Sequence, residues 1–160
     1  MENIKSELQR YIKENLIVET PRRLAFFCAP VVLAGAAIDF RKMYDEVKSE
    51  TFSEMLMRLI GESGEKNSAV YSRANIDRRH FSKIVNNINY RPSKETALAF
   101  AIALKLNFEK TQKFLSSAGY TLTKNNLGDV IVNFFIDKKI FDINAVNSAL
   151  YDYEQPLLGG

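Results

Sequence analysis

The chain has 160 residues, with 22 Lys+Arg against 19 Asp+Glu and with 46% apolar and 26% charged side chains. That balance excludes a disordered or collagen-like chain and suits a folded protein of about one domain. Cys28 and His80 are the single cysteine and histidine, which excludes an intrachain disulfide and any zinc site built from cysteine and histidine of one chain, so no cofactor is expected.

In chain order, Ile4, Leu8, Tyr11, Ile12 and Leu16 recur at helical spacing and predict an amphipathic packing helix that ends near Pro21. Leu24–Ile38 follows, an uncharged apolar run of 15 residues interrupted by Pro30 and Gly35. It is shorter than the roughly 18 residues a bilayer span needs. The acidic residues Glu2, Glu7, Glu14 and Glu19 precede it, unlike the short basic leader of a secretory signal. The expectation is a cytoplasmic protein with no membrane partner, in which this run is a core segment or faces a protein partner. Its alanines favour helix, and a further short helix is expected around Asp39–Lys48.

Charge divides unevenly. Residues 1–50 hold eight basic and eight acidic side chains, residues 51–124 twelve and six, and residues 125–160 two and five. The excess cation therefore sits in the middle, which favours a polyanionic partner for that segment. Three parts follow: an N-terminal helical segment with the apolar run (1–50), a central block (51–124) and a C-terminal helical extension (125–160).

The central block is punctuated by caps. Thr51 and Glu54 form a capping box ahead of Phe52, Met55, Leu56, Leu59 and Ile60, and this helix stops near Gly61–Gly64. Asn67 or Ser68 is expected to cap a short second helix with Val70, Tyr71 and Ala74, and Asn75 tolerates the left-handed conformation a tight turn requires. Asp77 caps a third helix, 77–88, with Phe81, Ile84, Val85 and Ile88 as its buried stripe. After the polar break Asn89-Tyr90-Arg91-Pro92, Ser93 caps a fourth helix, apolar nearly all round from Ala97 to Leu104. Asn107 caps a fifth, with Phe108, Phe114 and Leu115 inward and Gly119 at its end. Beyond it, Val130, Ile131, Phe134 and Phe135, then Ile143, Val146, Leu150 and Tyr153, predict two more helices ending at Pro156. The fold class is all-α.

Two short helices joined by a tight turn make a helix-turn-helix pattern. On a wheel of 100° per residue, the stripe of the third helix leaves Arg79, Lys83 and Asn86 opposite it, flanked by Ser82 and Asn87. Arginine can take guanine bidentately, asparagine can take adenine, and serine or lysine can meet base edges or phosphates.

Residues 67–120, NSAVYSRANIDRRHFSKIVNNINYRPSKETALAFAIALKLNFEKTQKFLSSAGY, resemble the phage-repressor-like, Xre-type helix-turn-helix family. The most specific part is Arg91-Pro92-Ser93, then Thr96 and an apolar helix to Leu104, then Asn107; the likeness covers 51–122 and neither flank. The resemblance implies a five-helix bundle and sequence-specific binding of duplex DNA, with the third helix in the major groove. It implies base reading by Arg79, Ser82, Lys83 and Asn86, and phosphate contacts from Asn67, Arg78, Tyr90, Arg91, Ser93 and Lys94. It implies a bacterial or phage-type transcription regulator. A small single-module interface also points to a homodimer on two half-sites. Tyr71 departs from the pattern, standing where the family places a small residue at the contact of the two helices. A ring there separates the pair unless it escapes sideways.

No enzyme is expected. Cys28 lies in an apolar run, His80 on a basic helix, the carboxylate pairs Asp45/Glu46 and Glu62/Glu65 at helix ends or exposed faces, and no phosphate, nucleotide or acyl-transfer motif occurs. The alternative to a DNA-binding regulator is a protein-interaction adaptor on the same scaffold, with Leu24–Ile38 or the C-terminal helices as the docking surface.

Overall fold

Local capping chemistry decides where each helix begins. The computed structural model describes residues 2–17 and 50–159, and these form eight helices: α1 Glu2–Asn15, α2 Phe52–Ser63, α3 Asn67–Arg73, α4 Arg78–Asn86, α5 Lys94–Ala103, α6 Phe108–Ser117, α7 Leu127–Asp137 and α8 Ile143–Asp152. The described residues contain no strand, so they are all-helical. The apolar run Leu24–Ile38, the expected helix Asp39–Lys48 and the pair Asp45/Glu46 lie outside the described residues. Among the described residues no helix is long and apolar enough to cross a membrane.

Thr51 and Glu54 make the reciprocal capping box on α2. Asp77, Ser93 and Asn107 cap α4, α5 and α6 through their side chains, as the sequence predicts. Asn126 and Asp142 do the same for α7 and α8. The second helix differs: its cap position is Lys66, which makes no side-chain cap bond, and Asn67 is the first helical residue.

Five helix ends share one device. Asn75, Lys105, Gly119, Lys139 and Glu154 take positive φ, and the amide after each reaches back into its helix. Ile76 N donates to Tyr71 O at 2.9 Å and Leu106 N to Ala101 O at 3.0 Å, with equivalent bonds at Tyr120, Ile140 and Gln155. This is the Schellman closure, which satisfies carbonyls that the helix end leaves open. Ile76 and Leu106, the residues after the turn, are buried and lock the reversal to the core.

The core is built around α5, whose residues Ala97 to Ala103 are all buried. Its alanines let neighbouring helices approach closely, and α3, α6 and α8 pack on it. Phe100 lies 6.1 Å from Phe81 of α4, and Phe52 of α2 lies 4.7 Å from Phe114 of α6. Each fully buried side chain of this size contributes roughly 1.5–3 kcal/mol of transfer free energy. The stripe of α4 ends one turn early, because the helix stops at Asn86 and leaves Ile88 49% exposed. Phe108, expected inward, is 42% exposed, because it is the first residue of α6 and lies before the buried face at Thr111, Phe114 and Leu115.

The described flanking helices α1, α7 and α8 pack on this bundle, and one hydrophobic cluster runs from Leu8 through Phe100 to Leu158. The first helix ends at Asn15 and leaves Ile4 exposed, while Leu8 is buried. It packs on α7, where Tyr11 Oη donates to Asp137 Oδ2 at 2.6 Å and accepts from Asn133 Nδ2 at 2.7 Å. A Glu7–Lys138 ion pair lies along the same contact, and Lys5 pairs with Asp152 at the end of α8. The extension is pinned to the start of α5 by Asp129, 3% exposed, which holds Lys94 Nζ at 2.6 Å and accepts from Thr123 N at 2.9 Å and Thr123 Oγ1 at 3.0 Å.

Candidate nucleic-acid interface

The turn that aims α4 is set by Asn75, whose φ of 55° is tolerated by asparagine better than by most side chains. Two residues on, Asp77 Oδ1 accepts from Arg79 N at 2.7 Å and His80 N at 3.0 Å. Those two amides hold its carboxyl below the usual carboxylate range. A depressed folded-state pKa means the cap contributes fully above the unfolded pKa, and that its contribution is lost as pH falls through the lower folded value. The far end of α4 is held from below. Ser53 of α2, 4% exposed, donates to Ile84 O at 2.6 Å and lies 3.3 Å from Asn87 O, so carbonyls at the helix end do not go unpaired in a buried place.

With its two ends fixed, α4 buries Phe81 and Ile84 and presents Arg78, Arg79, Ser82, Lys83 and Asn86 along one open concavity. All five are exposed and none is acidic. Asn86 Nδ2 donates to Ser82 Oγ at 3.0 Å, so two of the expected base readers orient each other one turn apart. A second concavity joins Arg78, Ser82 and Asn86 to Asn67, Ser68 and Tyr71 of α3. The four expected base readers thus lie on one surface with two of the expected phosphate ligands, Asn67 and Arg78.

The other four phosphate candidates divide. Tyr90 is half-buried, its hydroxyl 3.2 Å from His80 Nε2 and its ring 5.3 Å from Lys83 Nζ, so it ties the α4–α5 loop to α4. Arg91 is exposed. Ser93 Oγ accepts from Thr96 N at 3.1 Å as the α5 cap. The Lys94 ammonium is engaged by the buried Asp129 carboxylate, which compensates its charge. Phosphate contact by Lys94 would therefore compete with a desolvated internal pair.

Tyr71 resolves the departure noted in the sequence. Its ring is half-exposed and lies 5.1 Å from Phe81 at an interplanar angle of 38°, while the fully buried positions are Val70 of α3 and Ala74 at its C-cap. The ring has escaped sideways and packs on the edge of the pair, so Tyr71→Ala is expected to lose packing rather than unblock a surface. Roughly 2 kcal/mol of stability should go, from lost apolar burial and one aromatic pair. Urea unfolding of the variant checks this.

The cations of the block separate into spent and free. Arg73 is held by Glu65 and donates to Ala103 O at 2.7 Å. Arg58 bridges Glu50 and Glu62 at 2.9 Å and 2.6 Å. Apart from these two and Lys94, the other nine make no ion pair among the described residues: Lys66, Arg78, Arg79, Lys83 and Arg91 on or near α4, and Lys105, Lys110, Lys113 and Lys124 elsewhere. Sequence reading counts Lys66 in the basic stretch but not among the phosphate ligands, and it does not single out the supporting Ser53. Ser53 reads locally as a residue of the α2 capping box, and its partner carbonyls lie more than thirty residues away. Compared with known proteins, the chain matches no family model, no curated protein and no solved structure.

Proposed function

We propose that the chain is a sequence-specific, duplex-DNA-binding transcription regulator that places α4 in the major groove. One observation carries this reading: five exposed cations without an ion-pair partner among the described residues, Lys66, Arg78, Arg79, Lys83 and Arg91, lie on α4 and the chain just before α3 and after α4, whereas Arg58, Arg73 and Lys94 are neutralised by internal carboxylates and the remaining lysines of the segment, Lys105, Lys110, Lys113 and Lys124, lie away from α4. An exposed helix face with Arg79, Ser82, Lys83 and Asn86 and no carboxylate matches the donor and acceptor pattern of base edges. Asn67, Arg78 and Arg91 flank it as phosphate ligands that set register without reading sequence. Two copies on half-sites one helical turn apart would supply the interface area that one module lacks.

The test is fluorescence polarisation of the full chain with random duplex pools at about 50 mM salt, followed by selection of the retained sequences. Retention of duplex is expected. Arg79→Ala should cost about 1–3 kcal/mol against the selected site and relax preference at one base position, as loss of a bidentate base contact does. No retention of duplex at low salt would overturn the reading and leave a protein-binding adaptor on this scaffold.

A further inference from the structure

The segment after α8 follows a path that no local signal announces. The chain reverses at Glu154, where Gln155 N donates to Leu150 O at 2.9 Å. Asn147 of α8 then grips it twice: Leu158 N donates to Asn147 Oδ1 at 2.8 Å, and Asn147 Nδ2 donates to Leu158 O at 3.0 Å. Leu158 is 4% exposed and shares a cleft with Leu98, Val132 and Leu150, so the tail has an apolar anchor as well as a polar one.

Its next residue meets the reading unit. Thr96 Oγ1, in the first turn of α5, donates to Gly159 O at 3.3 Å. Gly159 has φ 121°, and a Cβ built on it would lie 3.1 Å from Asn75 O and 3.3 Å from Asn75 Nδ2. The backbone conformation strains any side chain there, and the space is tight enough that a neighbour must give by a few tenths of an ångström. Asn75 is the left-handed residue that sets the bend between α3 and α4, and Thr96 belongs to the helix that follows the α4–α5 loop. One glycine therefore bears on the chain where it enters α4 and on the helix it joins after leaving.

We propose that residues 155–159 form a latch that fixes the bend at Asn75, making Asn147, Leu158 and Gly159 positioning residues for the exposed face of α4. Its consequence for binding rests on the DNA reading above; its mechanical part rests on the contacts alone. The latch transmits because the opposing atom is backbone. A side chain at 159 meets the Asn75 carbonyl first, so the strain it introduces falls on the Asn75 peptide, from which α4 departs.

The experiment uses the full chain as wild type, Gly159→Ala, Gly159→Val and Asn147→Ala, with the core truncation Leu8→Ala as a stability-matched control. Amide resonances and duplex polarisation are recorded well below the unfolding temperatures. In the latch variants the amides of Asn75 to Asn86 should shift and duplex affinity should fall about tenfold, the scale of one lost base contact. Leu8→Ala should lower the unfolding temperature without either effect. If Gly159→Val does not fold, Gly159→Ala carries the same reading in the same backbone position. Unmoved amides at 75–86, or moved amides with wild-type affinity, would overturn the latch. A wild-type chain that does not bind duplex would overturn the DNA reading, and the spectra would then decide the latch alone.

Discussion

Asp129→Ala is expected to lower the folding free energy by about 3–5 kcal/mol, the range for removing one partner of a buried ion pair. The carboxylate is 4% exposed at its side chain and the Lys94 it holds 24%, so the carboxylate is shut off from bulk water and the ammonium is partly so. Its loss strands more than an ammonium. The Thr123 amide and hydroxyl, both bonded to Asp129 Oδ2, lose their acceptor in the same step, and a buried unsatisfied donor costs about 1–3 kcal/mol. Against a total stability of about 5–15 kcal/mol for a domain, the variant should be marginal at 37 °C. Asp129→Asn keeps the shape and one acceptor oxygen and should lose less. Lys94→Met with Asp129→Leu, which removes both charges, should recover much of the loss. Urea unfolding of the three variants checks the order, and a loss below about 1 kcal/mol in Asp129→Ala would show that the pair is effectively solvated.

That ion pair also marks the limit of what can be read along a chain. The caps at Thr51, Asp77, Ser93 and Asn107 were legible because cap and recipient amide lie within three residues, and the composition of α5 placed it in the core before any coordinate. Lys94 and Asp129 are thirty-five residues apart. Each reads alone as a solvated charge at a helix start, so nothing local opposes the phosphate contact that the resemblance implies for Lys94. Ser53 under the end of α4 and Asn147 on the tail were missed for the same reason. Their partners are backbone atoms, which carry no sequence signal.

Where helices end was harder to read than where they begin. Asn75 and Gly119 signalled their left-handed turns by residue type. Lys105, Lys139 and Glu154 adopt the same conformation at a cost of roughly 1–2 kcal/mol each. At Lys105 and Lys139 the buried or half-buried side chain of Leu106 or Ile140 and the Schellman bond offset it. Ile88 and Phe108 failed in the opposite sense, since apolar periodicity continued past the end of α4 and began before the buried face of α6. The outward face of α4 was legible because a wheel needs only Phe81 and Ile84 to orient it, and both are buried.

Ionic strength separates the roles assigned to the cations, with the largest effect expected on binding. If the charges of Lys66, Arg78 and Arg91, and those of the base readers Arg79 and Lys83 as they enter the groove, each displace one phosphate counterion, the log–log dependence of affinity on salt should have a slope of about −4.5 per protomer, and raising salt from about 50 to 200 mM should weaken binding roughly 500-fold. The triple variant Arg78→Ala, Lys83→Ala, Arg91→Ala leaves two of them, so its slope should flatten to about −1.8 and the same change in salt should cost about 12-fold. Lys94→Met makes the contrast. Its ammonium already has a carboxylate partner and releases no counterion from DNA, so the slope should stay at the wild-type value while the unfolding midpoint drops. Polarisation titrations at four salt concentrations with one duplex distinguish these outcomes. A triple variant with the wild-type slope would place the phosphate contacts on another surface. A Lys94→Met slope about 0.9 shallower would mean that the lysine leaves Asp129 for the nucleic acid, and the internal pair would then be a switch that binding opens.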